Sequence, residues 1–137
     1  MPPDPVLVRN TREWFLRAID DLRVAEHDLK SESPFIRAAL FHCQQATEKA
    51  LKGFLTWHDQ PFRKTHNLGE LGLRCATVDP SLESLLKEAA ALARYATRFR
   101  YPGGVDEPPF AEAQEALALA RCVVDRILDR LPAEVRP

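Results

Sequence analysis

Two groups of side chains carry the residue types and spacing that contact with an anion or a base requires. In the first, Arg94, Arg98 and Arg100 alternate with Tyr95, Phe99 and Tyr101. Guanidinium forks match phosphate oxygens and aromatic rings stack on bases, so this stretch has the chemistry of an RNA or nucleotide contact. In the second, Lys49 and Lys52 precede Arg63, Lys64 and His66. The plainer alternative is that Arg94 and Arg98 sit at the carboxyl end of a helix, where they complement its dipole and reach acidic neighbours. The histidines, His27, His42, His58 and His66, are never paired as H-x-x-x-H, and no Glu-x-x-His recurs on a second helix. A metal or other cofactor is therefore not expected. Glycine-rich phosphate loops and G-x-S-x-G elbows are missing too.

The elements that must position these groups are helices. The chain has 137 residues, enough for one domain, and its 5 Gly and scarce β-branched residues favour helix over strand. A net charge of -1 gives no bulk attraction for nucleic acid or an anionic membrane, so any such site has to be local. Cys43, Cys75 and Cys122 are odd in number and widely separated, which fits buried, inert thiols in a reducing compartment. The Met-Pro-Pro-Asp-Pro start lacks the pattern of a signal peptide, and no apolar run approaches membrane-spanning length. The expected location is the cytoplasm, with no membrane contact.

Residues 1–9 are Pro-rich and are expected to be extended. Asn10 or Thr11 can cap a first helix whose apolar face is Phe15, Ala18, Ile19, Leu22, Ala25 and Leu29, with Trp14 at its margin. Glu26 interrupts that face, either as a carboxylate reaching water or as a partner for a base from another helix. Ser33 and Pro34 give a cap-plus-proline start to a second helix that runs to Trp57 or His58. Asn67 to Cys75 reads as a short helix. Asp79-Pro80 then opens a helix carrying Leu82, Leu85, Leu86, Ala89, Leu92, Ala93 and Ala96 on one side, broken at Tyr101-Pro102-Gly103-Gly104. The last helix, about 109–131, places Phe110, Ala113, Leu117, Ala120, Val124, Ile127, Leu128 and Leu131 on one face. The expected fold is all-α: an antiparallel up-and-down four-helix bundle with an extra short helix, spanning 10–131, and a C-terminal tail at 132–137.

The second helix carries two stripes. Ala39, Cys43, Ala46, Ala50, Phe54 and Trp57 share one face, the pattern of a buried seam. Phe41, Gln45, Glu48 and Lys52 follow another, nearly opposite, with Leu55 at its flank. A Phe on an outward stripe points to a dimer or partner surface.

These residues resemble a known family. Gln44 to Lys52, then Lys64-Thr65-His66-Asn67-Leu68 with Leu71, then Arg100-Tyr101-Pro102, are similar to the signature blocks of HEPN domains (higher eukaryotes and prokaryotes nucleotide-binding). Trp14, Asp21, Leu22, Ala25 and Glu26 resemble its first helix, and the alanine-rich helix from Phe110 its last. The resemblance implies a helical bundle, commonly a homodimer, often paired with a minimal nucleotidyltransferase in a toxin–antitoxin or two-component nucleotidyltransferase system. It also implies that many members are metal-independent ribonucleases, with an Arg followed four to six residues later by a His.

That motif is incomplete here. No histidine follows His66, and Asp106 stands six residues past Arg100. An ordinary Asp, with a pKa near 4, can act as a base but is a poor general acid at neutral pH. The catalytic candidates are Arg100, His66 and Asp106, and whether the chain is an enzyme stays open. Nucleotide or RNA contact is expected from Lys52, Lys64, His66, Arg98, Arg100 and Tyr101. The three readings are a nucleotidyltransferase-partnered HEPN subunit, a HEPN ribonuclease toxin, and a non-catalytic helical interaction module.

Overall fold

A computed structural model describes residues 2–99, 102 and 106–137. Among these residues five α-helices follow in order: α1 (Pro5–Lys30), α2 (Ile36–Trp57), α3 (Leu68–Val78), α4 (Glu83–Ala89) and α5 (Phe110–Leu128), with short 3-10 helices at Pro80–Leu82, Ala90–Ala96 and Ala133–Val135. The fold is an all-α helical bundle, as the periodicity predicts, and no strand occurs among the described residues.

The first helix starts earlier than expected. Asp4 accepts a hydrogen bond from the Val6 amide at 2.9 Å, and Pro5 occupies the first turn. Asp-Pro is the same cap-plus-proline signal that starts the Asp79-Pro80 element, so the N-terminal segment is helical rather than extended. Thr11 becomes a buried mid-helix residue instead of a cap. At α2 the Ser33 cap is not made. The Phe35 amide donates to the Asp28 carbonyl at 3.0 Å, and α2 begins at Ile36, two residues later than expected, with no side-chain cap.

Helix α2 is the axis of the bundle and touches α1, α3, α5 and the 3-10 helix Ala90–Ala96. Its seam of Ala39, Cys43, Ala46, Ala50 and Phe54 is buried with Phe15, Ala18, Leu22 and Ala25 of α1 and Ala113, Ala120, Val124 and Ile127 of α5. Each fully buried Phe, Leu or Ile contributes about 1.5–3 kcal/mol from apolar area alone. Gly53 brings α1 and α2 close: a Cβ there would lie 2.7 Å from Phe15 Cε2 and 3.0 Å from Trp14 Cβ.

The fourth element departs from a single long helix. From the last residue of α4 onward the buried positions are Ala89, Leu92 and Tyr95, a spacing of three. That spacing keeps one face inward on a 3-10 helix, and the chain adopts one over Ala90–Ala96. At the end of α5 the chain does not trail away. Leu131 and Val135 are buried, the Ala133–Val135 turn packs on α1, and the Arg136 guanidinium donates to the Leu131 carbonyl at 2.6 Å. Phe110, placed on the apolar face of α5 by its spacing, is exposed at the first residue of that helix.

The outward stripe of α2 is corrected most. Glu48, Lys52 and Leu55 are 4%, 7% and 0% exposed. Asp59 takes the left-handed conformation (φ 54°) and the Gln60 amide donates to the Leu55 carbonyl at 2.9 Å, so the chain reverses. The segment 58–67 then lies back on α2 and covers Glu48 and Lys52 with Phe62 and His66. Only the amino-terminal part of that stripe stays open, with Phe41 exposed and Gln45 half-buried.

Candidate functional site

Polar groups converge on α2 at two buried carboxylates. Glu48 accepts from Gln44 Nε2 at 3.0 Å, from Lys52 Nζ at 3.0 Å and from His66 Nδ1 at 2.7 Å. Gln45 Nε2 donates in turn to Gln44 Oε1 at 2.6 Å. Burial is the largest single influence on the Glu48 carboxyl and pushes its pKa upward. The hydrogen bonds from Gln44, His66 and Lys52 together outweigh it and hold the group below the usual carboxylate range. Lys52 Nζ also lies 5.9 Å from the ring centroids of both Trp14 and Phe62, which meet edge-on at 6.2 Å. A buried ammonium is thus enclosed by one carboxylate and two aromatic faces.

The second carboxylate, Asp21 of α1, was named from the sequence only through the family resemblance. It accepts from His42 Nδ1 at 2.8 Å and Lys49 Nζ at 2.5 Å, tying α1 to α2 through groups 21 and 28 residues apart. A signal for it exists: Asp21 is three residues after Ala18 and four before Ala25, a carboxylate in a buried helical register.

A third group lies at the end of the 3-10 helix. Tyr95 stacks on Phe99 with centroids 6.2 Å apart and planes 10° apart, and the Arg98 guanidinium carbon sits 5.4 Å from the Phe99 ring centroid. Arg98 faces Glu112 of α5 at 3.6 Å, and the Tyr95 hydroxyl donates to the same carboxylate at 2.5 Å. Burial, then the Glu112 carboxylate, pushes the Tyr95 phenol up to about 12, so it remains a donor. Between this corner and the amino-terminal half of α2 runs a groove of about 380 Å³ lined by Phe41, His42, Tyr95 and Phe99, with Arg37.

The expected site residues therefore divide. His66 and Lys52 share Glu48, whereas Arg98 pairs with Glu112, and no partner joins the two groups among the described residues. Lys52 is consumed in the interior and presents no free cation. Lys64 and Asp106 are exposed. Arg100 and Tyr101 lie outside the described residues. Glu26 combines both expected roles, half-exposed and yet bonded to Arg121 of α5 at 3.1 Å as well as to Lys30. Burial pushes the Cys43 and Cys75 thiols up to about 12, where they are inert.

The family model for the HEPN domain matches residues 11–131. The chain belongs to the HEPN family. Among solved structures it is similar to the crystal structure of TT1696 from Thermus thermophilus, with 26% identity, a TM-score of 0.67, and coverage of 88% of this chain and 98% of that one. Among curated proteins, none matches the chain. In HEPN terms, the Gln44–Lys52 block supplies the Glu48 network, and the Lys64–Leu68 block supplies its His66 partner and the Asn67 cap of α3. No described helix is long and apolar enough to cross a membrane.

Proposed function

We propose that this HEPN chain is a helical subunit that acts as a homodimer with a minimal nucleotidyltransferase partner, in a toxin–antitoxin or two-component nucleotidyltransferase system, and binds nucleotide or RNA. The observation that carries the ligand half is the stacked corner Arg98–Phe99–Tyr95, a cation on an aromatic face whose base is anchored to Glu112. Such a corner suits a phosphate beside a base. The missing histidine after Arg100 favours binding over cleavage in the family's manner. Exposed Phe41 supports a dimer contact on the amino-terminal part of α2. The test is titration of labelled RNA at several salt concentrations: salt-sensitive binding that Arg98→Ala weakens supports the reading, and no binding at low salt removes its ligand half. Light scattering at twice the 15.5 kDa chain mass, and co-purification with the product of an adjacent nucleotidyltransferase gene, test the assembly.

A second reading, a metal-independent ribonuclease, is favoured by one feature. The His66 ring is 64% exposed while its Nδ1 is held by buried Glu48, the arrangement that orients an acid–base histidine. Metal-free RNA cleavage abolished by His66→Ala, with growth arrest relieved by Arg100→Ala, would establish it. Cleavage unchanged by His66→Ala would remove it.

A further inference from the structure

A cleft of about 690 Å³ separates α4 and the 3-10 helix Ala90–Ala96 from α5. Both of its ends are pinned. At one, the Tyr95 hydroxyl donates to Glu112 at 2.5 Å; at the other, the Arg130 guanidinium donates to Asp79 and to the Ser81 hydroxyl, each at 2.9 Å. Between these staples the facing side chains are too short to close the gap, with Ala91 on one wall and Ala118 on the other. Leu85, Leu92 and Leu119 give the cleft an apolar floor, and Leu85 and Leu119 are only half-buried. Leucines facing each other across an open gap are apolar surface that the chain itself does not cover.

The rim has the wrong sign for a phosphate and the right one for a lysine or arginine. Glu112 is satisfied by Tyr95 and Arg98, and the Arg94 guanidinium donates to the Ala91 carbonyl of its own helix. Glu88 and Glu115 are exposed, one on each wall, and neither pairs with a described residue. From Glu112 to Cys122 the α5 wall runs about 15 Å, the length of about three helical turns. Both walls are helices whose backbone groups are already paired, so an extended segment laid between them would bring amides without partners. A helix carries its own hydrogen bonds and needs only a stripe of apolar side chains to enter such a cleft.

We propose that this cleft docks an amphipathic helix of a partner protein, about three turns long, whose leucine-like side chains enter the cleft while Lys or Arg on both flanks meet Glu88 and Glu115. The pinned ends hold the walls apart before the partner arrives, so little binding free energy is lost to rearrangement. The proposal does not depend on RNA or nucleotide binding.

The probe is a fluorescein-labelled, helix-stapled peptide of about 14 residues, with leucines spaced three and four apart and lysines on both flanks. Its control carries Glu in place of every Lys. By fluorescence anisotropy with the full chain, the Lys peptide is expected to bind about 3- to 30-fold more tightly than the Glu peptide, the worth of two exposed ion pairs. Glu88→Lys with Glu115→Lys reverses that preference. Ala91→Trp, at an exposed position on the wall, fills the cleft and abolishes binding of the Lys peptide, while circular dichroism shows the fold kept. Cys122 lines the cleft and the other two thiols are buried, so bound peptide slows modification of Cys122 by a thiol reagent. Equal affinity for the two peptides, binding that survives Ala91→Trp, or an unchanged Cys122 rate overturns the proposal, as does no binding at low salt. If the chain alone self-associates in light scattering and Glu88→Lys with Glu115→Lys separates it, the occupant is a second copy and the proposal falls.

Discussion

Replacing Glu48 by Gln tests whether the buried network is held by charge or only by shape. Glu48 and Lys52 are both nearly inaccessible to solvent, so Glu48→Gln leaves the Lys52 ammonium buried without its counter-charge. Breaking a buried pair from one side costs about 3–5 kcal/mol. The low end applies here, because Trp14 and Phe62 still face the ammonium and His66 is mostly in water. A loss of about 3 kcal/mol, with an unfolding entropy near 2.1 cal/mol/K per residue, lowers the Tm by about 10 °C. Urea denaturation followed by circular dichroism measures the loss directly. Glu48→Met with Lys52→Met removes both charges and should recover more than half of it. The pH dependence has a fixed sign. The Glu48 pKa is lower in the folded state, so its stabilisation is complete above the unfolded carboxylate value near 4.5 and fades as pH falls through the folded value. The Gln variant loses that component of acid sensitivity. A Glu48→Gln loss under about 1 kcal/mol, or a double variant less stable than the single, would refute the charge argument.

Gly53→Ala gains helix propensity but forces a methyl into Phe15 and Trp14, and net destabilisation of about 1–3 kcal/mol is expected by thermal melting. Thr11→Val tests the opposite case. The Thr11 hydroxyl is buried without a partner among the described residues, so removing it should leave stability equal or raise it by up to about 1 kcal/mol in urea. A thiol reagent at neutral pH should label Cys122 quickly and leave Cys43 and Cys75 protected, all three reacting once the chain is unfolded. Mass spectrometry of the labelled peptides reads this, and rapid native labelling of Cys75 would contradict its burial.

Helical periodicity carried most of the fold, because the faces of α1, α2 and α5 are set by local spacing. It failed where a distant segment decides burial. Nothing in residues 41–55 shows that Phe62 and His66 fold back to cover Glu48 and Lys52, so a stripe opposite the apolar seam reads as outward. The same limit hides the pairing of Asp21 with His42 and Lys49, since three polar residues on two helices have no common period. The N-terminal Asp4-Pro5 start was legible: its signal is identical to that at Asp79-Pro80, and the surrounding prolines masked it. The site was legible in residue type at Arg98 and Phe99. Its groove was not, because Arg37 and His42 come from a helix more than fifty residues earlier.

The 3-10 conformation of Ala90–Ala96 also sets reach and phase. Seven residues at about 2.0 Å each advance some 3.5 Å further than the same residues in an α-helix, and the accumulated rotation differs by about 140°. Phe99 and Arg98 hang from the end of that segment, so they stand where they do because the tighter coil both lengthens and turns it. Alanine-rich sequence would extend α4 readily if its inward residues were respaced to the α-helical repeat. A substitution that stabilised such a helix would raise local order and, in the same act, rotate the aromatic wall away from α2. The nucleotide or RNA binding proposed above and stability would then move in opposite directions at a position outside the groove.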